Sequence, residues 1–371
     1  MKKKLISLLL SAALAVSMLT VPAFAAEGGE ADAALDETNE VVVTLGDTVT
    51  ASTVEDTDKA AADKTAADKT ETADSAPAAS TEKKQITYVA LGDSIVAGVG
   101  LADVKYANDS TTLYSVDMSP NFKGYSPDCY VGKVAAMMGL DRDHAINLGL
   151  PALTAPDLAD MVRDGQMPKM NMESGCWYKY PEFQDYIRKA DVVSIQIGSN
   201  DAFVPCIVAL GNATNWKSEA LAASVLAGDL RASGSPASAL IQGIKDMHLT
   251  RDERNATWNL LTSEMGKICD RIYPQTTAGL ISVVQEIRKL NPDCQILLMG
   301  YTDPVPFIPC WHNYFKKLNK FEKQLAETYD LTYVAIPKAK TDLDVHPTIS
   351  GHEYIAKKIV NSIELPEDIA Q

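Results

Sequence analysis

Three short segments of the chain carry side chains that could perform acyl transfer together. Ser94 stands in a G-D-S triplet, Asn200 in a G-S-N-D segment and His346 in a D-V-H-P segment. A serine hydroxyl becomes a nucleophile when a histidine takes its proton, and a third group must orient that histidine. Amide N–H groups aimed at the reacting carbonyl stabilise the oxyanion that forms. The three residue types therefore indicate nucleophile, oxyanion donor and base.

Each segment by itself has an ordinary structural interpretation. A serine or asparagine after a strand commonly caps a helix or a turn, and a histidine in a loop needs no special role. The group that would orient His346 is also open. Asp344 lies two residues before it and Asp342 four residues before it, while position 343 is leucine. A backbone carbonyl could orient the ring instead of either carboxylate.

The elements around these segments alternate between two hydrophobic periods. Apolar runs with many β-branched residues predict strands at 86–91, 145–148, 192–197, 295–300 and 331–336. Segments of helical period lie at 130–140, 157–162, 257–270, 276–290, 313–329 and 350–363. This alternation predicts a parallel sheet covered by helices on both faces. Such sheets bind ligands at the carboxyl ends of their strands, where all three segments fall.

Taken together, the three segments resemble the SGNH (GDSL) hydrolase superfamily over residues 86 to about 363. The resemblance implies a flavodoxin-like three-layer α/β/α sandwich with a central parallel sheet, and hydrolysis of esters or related acyl bonds. It implies Ser94 as the nucleophile, His346 as the general base and Asp344 as its orienting group. It also implies that the Ser94 N–H and the Asn200 side chain donate to the oxyanion.

Two departures from the family pattern affect the site. The family's usual glycine in the second conserved block falls at Ala152, whose backbone N–H could still donate to the oxyanion if its conformation allows. Gly149 is the alternative donor. The carboxylate before the histidine is also displaced, because the family pattern D-x-x-H would place it at Leu343. A D-x-H-P arrangement resembles one found in exported members, which favours Asp344.

Several other function classes are excluded or disfavoured by the sequence. No G-x-S-x-G segment is present, which disfavours the common α/β-hydrolase fold. His352-Glu353 lacks a second histidine at position 356, so it is no zincin motif, and we expect His352 on the outer, last helix. Gly98 and Gly100 lack the third glycine of a dinucleotide site. We expect neither a metal nor a cofactor. The net charge of −15 disfavours nucleic acid as a partner.

The chain divides into three regions. Residues 1–25 combine a basic start, an apolar run and an A-x-A site, which predicts a signal peptide cleaved after Ala25. Residues 26–84 hold 15 acidic residues, 5 lysines and no aromatic residue, which is typical of a disordered linker. Residues 85–371 form the esterase-type domain, with an insertion at about 202–254. We therefore expect a secreted protein, in association with the cell wall if the linker spans it, without stable membrane insertion after cleavage.

The six cysteines all follow residue 84, and none forms a C-x-x-C pair. An even count in an exported chain allows three disulfides in any of about 15 pairings, although a buried free thiol is an equally good interpretation at Cys294. We expect a monomer that acts on a small-molecule, lipid or polysaccharide ester. The alternative is a non-catalytic module on the same fold that binds an envelope component or a glycan.

Overall fold

The computed structural model describes residues 85–105, 114–115, 122–221, 236–304, 306, 308–342 and 345–364. Four of the sequence predictions lie wholly or partly outside these residues: the signal peptide at 1–25, the linker at 26–84, part of the insertion, and the carboxylate of Asp344 with its neighbour Leu343.

Seven strands lie within the described residues. They are β1 (Tyr88–Gly92), β2 (Val104–Lys105), β3 (Tyr114–Ser115), β4 (Ala145–Gly149), β5 (Val192–Gln196), β6 (Gln295–Met299) and β7 (Thr332–Val334). Five of them form one parallel sheet in the order β4-β1-β5-β6-β7, and β2 pairs separately with β3. Chain order reverses between β1 and β5, and this switch point is where a doubly wound sheet opens a ligand crevice.

The helices are α1 (Ser94–Ala97), α2 (Tyr130–Met138), α3 (Ala155–Asp164), α4 (Phe183–Arg188), α5 (Ser199–Ala213), α6 (Pro236–Asp246), α7 (Arg251–Asn259), α8 (Met265–Leu290), α9 (Pro309–Tyr329) and α10 (Ile349–Val360). A π-helical turn, Leu260–Glu264, joins α7 to α8. No helix in the described part of the chain is long and apolar enough to cross a membrane.

The sheet separates two hydrophobic cores. In β1, Val89 and Leu91 point into a core shared with α3, α4, α5, α8 and α9. Tyr88 and Ala90 point into the other core, shared with α2 and α10. This alternation follows from the two-residue period of a strand, and it confirms the predicted three-layer α/β/α sandwich.

One predicted break between helices is wrong. The sequence analysis separates helices at 257–270 and 276–290, whereas α8 runs without interruption through Pro274. Proline removes one backbone donor from a helix and usually bends or ends it. Here the turn after the proline carries buried side chains, among them Thr276 and Leu280. Thr277 also returns a hydrogen bond of 2.9 Å to the Pro274 carbonyl. Packing against the sheet therefore outweighs the local cost of the proline.

The beginning of the predicted insertion is part of the main core. Helix α5 starts at Ser199 and buries Phe203, Cys206 and Leu210 against the sheet and the neighbouring helices. This helix also carries Asn200, so it positions one of the candidate site residues. The residues that follow it, up to α6, extend outside the described part of the chain.

Candidate active site

Ser94 is positioned by the tightest turn of the sheet. It is the first residue of α1, directly after β1, and the Asp93 side chain caps that helix by accepting a hydrogen bond of 3.0 Å from Ile95 N. Gly92 has φ +155, and a Cβ there would lie 2.1 Å from the carbonyl oxygen of Gln196. Only glycine fits this close approach, which accounts for the first letter of the G-D-S triplet.

The structure brings Ser94 and His346 together although they are far apart in the chain. The Ser94 Oγ and the His346 Nε2 are 3.0 Å apart, within the range of a hydrogen bond. Both residues are buried, at 9% and 2% exposure. A serine hydroxyl at this distance from an imidazole nitrogen can lose its proton to it. This contact joins the end of the first strand to the loop after the last one.

Asn200 lies on the other side of the switch point, in the first turn of α5. Its Nδ2 donates one hydrogen bond of 3.0 Å to the Leu153 carbonyl. A primary amide has two N–H donors, so this contact fixes the side chain and leaves a second donor.

The loop after β4 supplies the remaining predicted donors. Ala152 has φ +62, in the left-handed region that normally favours glycine. Its backbone therefore has a conformation that glycine adopts more readily than alanine. The Gly149 amide already has a partner, because it donates a hydrogen bond of 2.9 Å to Asn147 Oδ1. Among the described residues, no such partner is found for the Ala152 amide. The geometry therefore favours Ala152 over Gly149 as the donor.

Of the two candidate carboxylates near His346, the described part of the chain includes Asp342 only. Asp344 lies outside the described residues. Asp342 is part of the turn that carries the histidine. Its amide donates a hydrogen bond of 2.9 Å to the His346 carbonyl, and its carbonyl accepts one of 3.1 Å from Val345 N. The Asp342 backbone thus shapes this loop.

A buried network beneath Ser94 was missed by the sequence analysis. Asp93 is fully buried. Its Oδ2 accepts a hydrogen bond of 2.7 Å from the Ser199 hydroxyl and one of 3.2 Å from the Tyr301 hydroxyl. Burial raises the pKa of Asp93, while these hydrogen bonds and the nearby His346 oppose the rise. The network ties the ends of β1, β5 and β6 together. Its sequence signal was weak, since Asp93 and Ser199 lay inside the motifs but only their neighbours had an evident chemical task.

His352 lies in α10, the outer helix on which it was expected. Its side chain is fully buried on the inner face of that helix. The His352 Nδ1 accepts a hydrogen bond of 3.2 Å from the backbone N–H of Tyr130, in the first turn of α2. Burial lowers the pKa of His352 to about 3, with the neighbouring His346 acting in the same direction. A neutral histidine therefore joins the last helix to α2, a role that its place beside a glutamate did not reveal.

An apolar pocket opens beside the Ser94 hydroxyl. It lies between the serine, the loop that carries His346 and α9. Its lining includes the apolar side chains of Phe203, Phe315, Ile336 and Val345. The polar side chains that also line it include Ser199 and Tyr301 of the buried network.

The comparison with family models decides the family. The model described as the GDSL-like lipase/acylhydrolase family matches residues 90–354, which contain Ser94, Asn200 and His346. The chain belongs to this family. It is therefore a hydrolase of ester bonds, as the resemblance implied, and this favours an enzyme over the alternative of a non-catalytic binding module.

Solved structures of GDSL and related enzymes are similar to this family member at low identity. An extracellular lipase from Streptomyces rimosus has 15% identity and a TM-score of 0.43, covering 75% of this chain and 100% of its own. A lipase from a goat rumen metagenome has 15% identity and a TM-score of 0.42, covering 75% and 97%. An acetylxylan esterase from Geobacillus stearothermophilus has 18% identity and a TM-score of 0.36, covering 76% and 97%. Among curated proteins, none matches the chain.

Proposed function

We propose that this GDSL hydrolase is a serine esterase in which Ser94 attacks the ester carbonyl and His346 is the general base. The observation that carries the proposal is the 3.0 Å contact between Ser94 Oγ and His346 Nε2 at the switch point of the sheet. Asp344 is the proposed orienting group of His346. It lies two residues before His346 and, in the resemblance, fits the D-x-H-P arrangement.

The reaction has two halves that use the same residues. First, the Ser94 Oγ forms a bond to the carbonyl carbon while its proton passes to His346 Nε2, and the leaving alcohol then takes that proton. Second, His346 removes a proton from water, which attacks the acyl carbon on Ser94. The bond between that carbon and Ser94 Oγ then breaks, Oγ takes the proton back from His346, and the carboxylic acid leaves. In each half the carbonyl oxygen becomes an oxyanion, which the Ser94 and Ala152 amides and the Asn200 side chain are proposed to stabilise.

The apolar lining of the pocket beside Ser94 supports a hydrocarbon acyl group as the group that is transferred. Apolar walls such as Phe203 and Phe315 favour a hydrocarbon over a charged group, because burying a charge without a partner is costly. The alcohol part of the substrate is left open between a lipid and a polysaccharide. For both, the expected bond is a carboxylic ester.

Export is also part of the proposal. The basic start, apolar run and A-x-A site at 1–25 support cleavage after Ala25 and release outside the cytoplasm. The Ala- and Thr-rich linker at 26–84 would then separate the enzyme from the envelope. Mass spectrometry of the mature amino terminus from culture medium tests this part, and an uncleaved Met1 would contradict it.

The decisive experiment compares the purified chain with Ser94→Ala on p-nitrophenyl acetate, butyrate and octanoate near pH 8. We expect kcat/KM to fall by at least about 10⁴-fold in the variant, because the covalent route is lost. Ser362→Ala, two residues after the end of α10, is the matched control and should keep full activity. The order of the rates on the three esters measures how long an acyl chain the pocket accepts.

A serine-reactive phosphonate provides a second readout that does not depend on choosing the right substrate. It should label the chain once, at Ser94, and the label should be absent from Ser94→Ala. Full esterase activity in folded Ser94→Ala, or phosphonate on another serine, would contradict the proposed nucleophile.

A further inference from the structure

Three cysteines from separate parts of the chain meet on one side of the sheet. Cys206 is in α5, Cys269 in α8 and Cys310 in the first turn of α9. The Cys269 thiol lies within hydrogen-bonding reach of both Cys206 and Cys310. All three are free thiols in this structure.

Other contacts hold these helices in the same arrangement. A Cβ built on Gly266, one turn before Cys269, would lie 3.9 Å from the Cys310 Cβ, so the start of α9 faces this part of α8. Further along the same two helices, Lys317 Nζ is 2.7 Å from Asp270 Oδ1. Helix α5 joins them through the edge-to-face contact of Phe203 and Trp311, with centroids 4.7 Å apart. The proximity of the thiols therefore belongs to the packing of three helices.

We infer that Cys269 and Cys310 are a disulfide site, with Cys206 as a third thiol that stays reduced beside it. Cys206 is fully buried and Cys269 nearly so, whereas Cys310 is partly exposed, so an oxidant from solvent reaches Cys310 first. The remaining three cysteines have other local contacts. The Cys129 sulfur accepts from Gly132 N, Cys176 contacts Ser174, and Cys294 donates to the Asn291 carbonyl.

The oxidant is a disulfide, such as glutathione disulfide or a disulfide-carrying oxidoreductase. The Cys310 thiolate attacks the oxidant, forming a mixed disulfide and releasing one thiol. The Cys269 thiolate then attacks the Cys310 sulfur and releases the second thiol. The two cysteines together lose two protons and two electrons, which the oxidant takes up. Export, as proposed above, would bring the chain to a compartment where such bonds persist.

The local environment makes this reaction slow at neutral pH. The neighbouring Cys206 and burial raise the pKa of the Cys269 thiol, although Cys310 acts in the opposite direction. Cys269 itself and burial raise the pKa of the Cys310 thiol. Because the thiolate is the reacting form, oxidation should become roughly tenfold faster for each unit by which the pH rises, as long as the pH stays below these pKa values.

The bond would strengthen the side of the molecule that walls the pocket. Trp311 follows Cys310 directly, and Phe203 lies one turn before Cys206, so the cluster stands behind the pocket wall. A crosslink between α8 and α9 should raise the midpoint of thermal unfolding by about 5–10 °C.

The test uses the reduced full chain, incubated with glutathione disulfide at pH 7, 8 and 9, then unfolded and labelled with a maleimide. We expect the number of labelled thiols to fall from six to four, with a peptide linking Cys269 to Cys310. Six labelled thiols after oxidation, or a linked peptide that pairs Cys269 with Cys206, would overturn the assignment.

Variants separate the site from general oxidation. Cys310→Ser should abolish this linked peptide and the rise in the unfolding midpoint, and Cys206→Ser should keep both. Cys294→Ser, a change of the same kind at a buried cysteine outside the cluster, should also keep both. Loss of the crosslink in Cys294→Ser would contradict the inference. The linked peptide of the unsubstituted chain tests the site even if one of the variants fails to fold.

Discussion

The proposed nucleophile and its proposed base contact each other from two different kinds of structural support. Ser94 follows β1, an inner strand whose five residues are all buried and which is paired on both sides. His346 follows β7, a three-residue strand at the edge of the sheet. One side of the site is therefore held by the sheet itself, and the other by a loop.

The loop that carries His346 is held by local hydrogen bonds and contains a residue with a strained backbone. Thr341 and Pro347 form an antiparallel bridge, and Thr348 N donates 2.9 Å to the Lys340 carbonyl. Within this turn Val345 has φ +65, an unusual conformation for a β-branched residue. Strained backbone is kept where surrounding structure fixes it, often at functional sites. The sheet therefore fixes the position of Ser94, whereas the position of His346 depends on the geometry of one turn.

The largest effect should come from removing either partner of the contact between the two supports. His346→Ala should lower kcat by about 10⁴-fold or more, because Ser94 then has no base. The double variant Ser94→Ala/His346→Ala should be no slower than the slower single variant, since the two side chains act as one unit. Steady-state kinetics on p-nitrophenyl butyrate measure this. Losses that multiply in the double variant would show that the two residues act independently.

The anchoring of the loop side can be tested through His352, which follows the turn in α10. Its pKa is about 3 in the folded chain and near the ordinary value of about 6.5 when unfolded. Between these values the unfolded chain binds a proton that the folded chain does not, so stability falls as pH drops from about 6.5 to about 3. The loss should approach about 4–5 kcal/mol at the lower end.

Urea unfolding at several pH values in this range isolates the contribution of His352. His352→Gln keeps an acceptor for Tyr130 N but does not titrate, so its stability should depend less on pH. His248→Gln, at an exposed position, should leave the slope of the unsubstituted chain unchanged. Equal slopes in all three proteins would show that folding does not lower the pKa of His352.

Asn200, the proposed oxyanion donor, lies on the side of the site that the sheet supports, and its removal should have the next largest effect. Asn200→Ala should lower kcat by about 10²–10³-fold with a smaller change in KM, because the amide acts mainly in the transition state. Asn212→Ala, at an exposed position of the same helix, should change neither constant. A loss confined to KM would place Asn200 in substrate binding instead.

The same contrast explains which parts could be predicted from the sequence. Hydrophobic periods identified the five strands of the parallel sheet, because buried strands impose a pattern on every residue, but they did not identify the short strands β2 and β3. The turn around His346 imposes no such pattern, since Val345 adopts a conformation that its residue type disfavours. The uninterrupted helix through Pro274 and the inward-facing His352 depend on packing with distant segments. The Asp93 network connects residues about a hundred or more positions apart, which no local spacing reveals.

The smallest expected effect concerns Ala152, the one place where the sheet side also carries a strained residue. At φ +62 an alanine costs about 1 kcal/mol relative to glycine. Ala152→Gly removes this strain but also raises the conformational entropy of the unfolded chain. The midpoint of thermal unfolding should therefore stay the same or rise slightly, and kcat should be nearly unchanged. Ala136→Gly, on the exposed face of α2, should instead destabilise the chain by about 1 kcal/mol. Thermal unfolding of the two variants side by side measures the difference. If Ala152→Gly destabilised the chain as much as Ala136→Gly does, the left-handed conformation at Ala152 would be wrong, and with it the proposed direction of its amide toward the oxyanion.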